Sequence, residues 1–146
     1  MRHPPFSILP ATAAVLFLAG CSPDMPQNPD FADASITVYR AGKPNDLPSA
    51  GREDVQQSLR TWWKNTSSNP GIPDYVTYAP DVTIRTPELN INLQKHRTII
   101  GLRDEGSRAW LQYSRASNGD DEALRTALQA WEAQERTQQN TGKSGH

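Results

Sequence analysis

"LNINLQKHRTIIGLRDEGSRAWLQYS", residues 89–114, decides the fold. Leu89, Ile91 and Leu93 alternate with Asn90, Asn92 and Gln94. Thr98, Ile100 and Leu102 alternate with Ile99, Gly101 and Arg103, and Ala109, Leu111 and Tyr113 with Trp110, Gln112 and Ser114. Successive strand side chains leave opposite faces, so a period of two marks half-buried strands. Turns at 94–97 and 103–108 fold them into an antiparallel meander: Leu93 faces Thr98, Ile91 faces Ile100, Leu102 faces Ala109 and Ile100 faces Leu111. One register gathers the alternating apolar residues on a single face, as a sheet over a core requires. It also sets Trp110 opposite Gly101, an aromatic ring over a bare glycine.

Two amphipathic helices are predicted to cover that face. In "EDVQQSLRTWWK" (53–64) Val55, Leu59, Trp62 and Trp63 share one helical side. Glu53 and Asp54 favour its N-terminal dipole, and "NTSSNPGIP" ends it. "DDEALRTALQAWEA" (120–133) repeats the scheme with Leu124, Leu128 and Trp131, capped by Asn118 or Asp120. Shorter runs at 35–40 ("SITVYR"), 75–78 ("YVTY") and 82–85 ("VTIR") add strands, limited by Pro80 and Pro87. The expected fold class is α+β: one small domain over 36–135, an antiparallel meander sheet with two helices on one face, in the order β, α, five strands, α. Residues 136–146 are expected to be a disordered polar tail.

The N-terminus is of another kind. Arg2 and His3 precede an apolar stretch at 6–19, interrupted by Pro10 and too short to span a bilayer. It ends at Leu18, Ala19, Gly20 and Cys21, the only cysteine. Residues 1–20 with Cys21 resemble the signal peptide and lipobox of bacterial lipoprotein precursors. The resemblance implies cleavage between Gly20 and Cys21, two acyl chains on the Cys21 sulfur as a diacylglyceryl group, and a further chain such as palmitate on its amine. Two or more chains make a stable anchor where one does not. Ser22 stands where an Asp implies inner-membrane retention, so the expected location is the outer membrane, facing the periplasm. Residues 21–35 hold three prolines and few apolar groups, and are expected to be a disordered tether reaching on the order of 40 Å.

Removing residues 1–20 removes Arg2 and no acid, leaving 14 bases against 16 acids, a net charge of −2. That balance gives no general attraction to nucleic acid. Chemistry-bearing clusters are absent from the spacing: two histidines remain, His96 and His146, with no glycine-rich phosphate loop and no "GxSxG". The acid pairs Glu53/Asp54, Asp104/Glu105 and Asp120/Asp121 fall at helix starts and turns, where carboxylates cap backbone groups. No catalytic, cofactor or metal residues are assigned, no cofactor is expected, and the protein is not expected to be an enzyme.

Charge is uneven within the domain. Residues 82–115 carry six bases against three acids, +3, so the rest of the mature chain is −5. The outward sheet face is expected to present Arg85, Asn90, Asn92, Gln94, Ile99, Arg103, Trp110 and Gln112, with Lys95, His96 and Arg97 as a basic tip. Arg and Trp are enriched at protein interfaces. Arg85, Lys95, His96, Arg97, Arg103 and Trp110 are therefore the candidate partner-binding residues. The expected function is a non-enzymatic binding module, by analogy of plan an immunity protein that neutralises a toxin delivered to the periplasm. The alternative is an accessory lipoprotein of a secretion or conjugation apparatus.

Overall fold

The period-two segments pair into one antiparallel sheet. Its strands are β1 (Ser35–Arg40), β2 (Lys43–Pro48), β3 (Ile72–Pro73), β4 (Val82–Arg85), β5 (Leu89–Leu93), β6 (Arg97–Arg103) and β7 (Trp110–Ala116), in spatial order β2-β1-β4-β5-β6-β7-β3. Helix α1 (Glu53–Thr66) lies between β2 and β3, and α2 (Gly119–Lys143) follows β7. The protein is thus α+β, as seen in a computed structural model that describes residues 24–75 and 79–143. Cys21 and the signal peptide expected at 1–20, and all but Tyr75 of the strand expected at 75–78, lie outside the described residues; Tyr75 itself is not in a strand.

The inner sheet face and the two helices share one core. Ile36, Val38, Val82, Ile84, Ile91, Leu93 and Ile100 pack with Val55, Leu59 and Trp63 of α1 and Leu124 and Leu128 of α2. Burial of each such side chain contributes about 1.5–3 kcal/mol before entropy is counted. β2 offers this core only Leu47 and depends on β1 for its place.

Two strands were not expected. β2, "KPNDLP", is poor in strand formers, but Ala41 and Gly42 both have positive φ (48° and 75°) in a two-residue hairpin between Arg40 and Lys43. Pro44 and Pro48 are tolerated because β2 is an edge strand. β3 forms where Gly71 (φ 105°) lets the backbone close on β7: a Cβ there would lie 2.1 Å from the Ser114 carbonyl oxygen.

The β5–β6 register is the expected one, with Leu93 opposite Thr98 and Ile91 opposite Ile100. The β6–β7 register is two residues further along: Leu102 faces Leu111, Ile100 faces Tyr113, Gly101 faces Gln112 and Arg103 faces Trp110. Asp104 causes the difference. Its carboxylate accepts from the Gly106 and Ser107 N–H groups and the Ser107 hydroxyl, winding 104–109 into a turn of its own and letting pairing run on to Arg103 and Trp110. A shift of two keeps every side chain on its face. Trp110 still covers Gly101, now diagonally, with Cε3 3.4 Å from where a Cβ would stand.

Both ends of the domain are more ordered than expected. Phe31 is 1% exposed, Pro29 and Ala34 are buried, Met25 packs on the core, and the Trp63 indole N–H donates to the Pro26 carbonyl at 2.7 Å. The expected tether is therefore part of the domain from Asp24 onward. One buried aromatic ring supplies the missing apolar area, and prolines lower the entropy lost on ordering. Helix α2 likewise continues through the expected tail to Lys143. Glu132 pairs with Arg136 at 2.6 Å, Glu135 pairs with Arg52 just before α1, and the Gln, Glu and Arg of this stretch lose little rotamer freedom in a helix.

Candidate binding surfaces at the two ends of the sheet

The six candidate residues do not form one site. β6 separates them: Arg97 begins it and Arg103 ends it, six residues or about 20 Å apart. Lys95, His96 and Arg97 belong to one end; Arg85, Arg103 and Trp110 belong to the other.

At the first end the Gln94 N–H donates to the Arg97 carbonyl, closing a tight turn that leaves Lys95 and His96 exposed. Arg97 is not a free basic tip. Its guanidinium holds Asp74 at 3.0 Å, and the same carboxylate oxygen accepts from the Ser114 hydroxyl at 2.5 Å. Asp74 thereby fixes the chain leaving β3 on the outward face of the sheet. On either side of it stand Ile72 and Tyr75, each 71% exposed. Ile72 was missed in the sequence because "NTSSNPGIP" reads as a helix terminator, and Tyr75 because it falls in the strand expected at 75–78. The Gly71 that seats β3 against Ser114 was the available signal.

Behind this end sits a buried polar cluster. Asp121, 1% exposed, accepts from both Arg115 Nη groups (2.5 and 2.8 Å), from the Trp62 indole N–H (2.8 Å) and from the Asn118 N–H (2.8 Å). Asn118 Oδ1 accepts from the Asp121 N–H at 3.0 Å, which makes the pair a capping box at the start of α2. Burial, the largest single influence, pushes the Asp121 carboxyl up. The hydrogen bonds from Arg115, Asn118 and Trp62 outweigh it, so the group ionises below the usual carboxylate range. Its role is to join α1, α2 and β7.

At the other end, Trp110 (44% exposed) and Leu111 (36% exposed) leave opposite faces of β7 where it emerges from the 104–109 turn. Arg103 faces Trp110 across the strands and Arg108 lies in the turn with positive φ. Asp104 is held below its ordinary range by the Ser107 hydroxyl and then the Gly106 and Ser107 N–H groups. A cleft of about 670 Å³ opens beside the turn, lined by Asp24, Met25, Leu102, Arg103, Leu111 and Tyr113 among others. The first described residues of the chain thus enter the domain at this end.

The outward face between the two ends is not fully solvated. Ile99, expected to be presented there, is 2% exposed, with Thr83 and Ser114 equally covered. Thr83 donates to Asn92 Oδ1 at 2.9 Å, so cross-strand polar pairs occupy the middle of the face.

Among the described residues no three His, Cys, Asp or Glu side chains are grouped to hold a metal ion, and no helix is long and apolar enough to cross a membrane. The four exposed large apolar side chains among them, Ile72, Tyr75, Trp110 and Leu111, all lie on β3, β7 or the chain directly after β3. Comparison with family models, with curated proteins and with solved structures finds no match.

Proposed function

We propose that this protein is a bacterial envelope lipoprotein, anchored through acylated Cys21 and facing the periplasm, that binds another protein and does no chemistry on it. The observation that carries the binding role is the pair Ile72 and Tyr75, each 71% exposed on either side of an Asp74 that is itself held by Arg97 and Ser114. Exposed apolar side chains on a rigid polar support, rimmed by bases, are the composition of a protein interface. Lys95, exposed in the turn before β6, supplies a positive charge at this end of the sheet, suited to steering an acidic partner. A toxin delivered into the periplasm is the partner class this reading favours, with the sheet edge covering the toxin's working cleft.

The test is capture from envelope and secreted fractions by the tagged, lipidated protein, followed by mass spectrometry. A one-to-one complex with a secreted protein, abolished by Ile72→Ser with Tyr75→Ser, is the expected result. Co-purification with a large envelope assembly would replace the inhibitor reading by an accessory role in that assembly. Capture unaffected by the two substitutions would remove this surface from the account.

A further inference from the structure

The end of the sheet that carries Trp110 is built differently from the partner surface, and the course of the chain says what covers it. We propose that the β6–β7 hairpin tip, with Trp110 and Leu111, rests in the headgroup region of the phospholipid bilayer that holds the anchor. This rests on the reading that Cys21 is acylated. Asp24 is part of the domain and lines the cleft with Arg103 and Leu111. Three peptide steps separate Cys21 from Asp24, and at 3.80 Å per step their Cα atoms stand no more than about 11 Å apart in any conformation. A domain so anchored cannot stand off on a long tether; the surface around Asp24 is held against the lipid.

What that surface presents fits the position. Trp110 and Leu111 project from the two faces of one strand end, forming a wedge with an indole that carries both an apolar body and a polar N–H. Trp is enriched at the membrane–water interface for that reason. Arg103 and Arg108 are placed to reach headgroup phosphates. Around the cleft and turn these two bases face four acids, Asp24, Glu88, Asp104 and Glu105, so the local charge is −2 and attraction to anionic lipid is not the driving force. The occupant is the interface of a zwitterionic bilayer, entered by apolar contact. Ile72 pairs with Ser114, four residues or about 13 Å along β7 from Trp110, while the chain after it runs back towards the tip, with Pro73 opposite Tyr113 and the Asp74 N–H on the Gln112 carbonyl; of the partner surface, Ile72 is the residue held away from the lipid.

Trp110 reports its own environment, because Trp62 and Trp63 are buried and Trp131 is half-buried. The lipidated protein and its Trp110→Phe variant are reconstituted into vesicles of phosphatidylethanolamine and phosphatidylcholine, the latter with or without bromine on its acyl chains. The difference emission, which belongs to Trp110, is expected to be blue-shifted and to lose most of its intensity with brominated lipid. A probe placed by Ile72→Trp in the Trp110→Phe protein is expected to keep its emission. Unquenched Trp110 in a sample whose intact mass shows acylated Cys21 would overturn the inference and leave the lipoprotein reading standing. A mass showing bare Cys21 or an uncut leader would overturn both. Shielding of Trp110 by added envelope proteins without vesicles would assign the wedge to a protein partner instead.

Discussion

Two networks of bonded polar groups mark the 94–97 end of the sheet, the outer one flanked by the exposed Ile72 and Tyr75, whereas at the 103–110 end a single turn carries the partly covered Trp110 and Leu111. Asp121, Arg115, Trp62 and Asn118 close a network behind the first end, and Asp74, Arg97 and Ser114 close another on its surface. At the second end the turn is held by Asp104 and by the Ala109 N–H on the Ser107 hydroxyl, and Trp110 and Leu111 remain 44% and 36% exposed. Both ends carry arginines, but Arg97 and Arg115 are engaged in holding the fold while Arg103 and Arg108 have positions open to a ligand. The same residue type in the same strands therefore does two jobs, and burial and partners tell them apart.

The largest expected effect comes from breaking the ordered end. Arg115→Ala leaves the buried Asp121 carboxylate short of its charge partner and should cost about 3–5 kcal/mol in urea unfolding. Unchanged stability would mean that the network holds nothing together. The same cluster gives a pH dependence with a definite sign. The folded-state pKa of Asp121 is depressed below the unfolded value of 3.8, so its contribution is complete above that value and is lost as pH falls through the folded pKa. Asp121→Asn should flatten that acid limb of the stability curve measured by unfolding across pH, and an unaltered limb would assign the acid sensitivity elsewhere.

Next is Gly71→Ala, which needs a strained positive φ, about 1–3 kcal/mol, and drives a methyl into the Ser114 carbonyl. It should lower stability and displace β3, so that hydrogen exchange at Ile72 and Asp74 rises. Exchange as slow as in the parent would contradict the fitted contact between β3 and β7.

Much of the comparison was legible in the sequence, and the part that was not has physical causes. Alternation over 89–102 gave the face and register of β5 and β6, and helical spacing gave α1 and the first half of α2. The β6–β7 register escaped because a side-chain-bonded turn at Asp104 shifts pairing by two without changing any residue's face, leaving no mark in the alternation. β2 escaped because its strand character is imposed by the hairpin at Ala41–Gly42 rather than by its own residues. The packing of residues 24–34 turned on one aromatic, Phe31, in an otherwise polar stretch. For the candidate sites, charge and composition grouped residues of both ends, although the turns expected at 94–97 and 103–108 already put Lys95, His96 and Arg97 about 20 Å from Arg103 along one strand. The spacing did not say that Ile72 and Tyr75 are exposed: apolar residues are ordinarily read as core.

At the surface the effects are smaller and sharpen the division of roles. Ile72→Ser with Tyr75→Ser should weaken partner binding by about 2 kcal/mol or more, the range of interface hot spots, while stability moves by no more than about 0.5 kcal/mol per substitution. Lys95→Ala with His96→Ala should act mainly on the association rate. Rim charges of this kind are worth under about 1 kcal/mol, and the difference should fade as salt is raised. A loss equal to that of the Ile72 and Tyr75 variant would move the centre of the interface to the turn.

Dissociation constants for the captured partner, measured with vesicle-bound lipidated protein, set the two ends directly against each other. The expected outcome is that Ile72→Ser with Tyr75→Ser abolishes tight binding while Trp110→Ala leaves it unchanged. Loss of binding on Trp110→Ala, with the Ile72 and Tyr75 variant still binding as the parent does, would contradict the assignment of one end to the partner and the other to the bilayer.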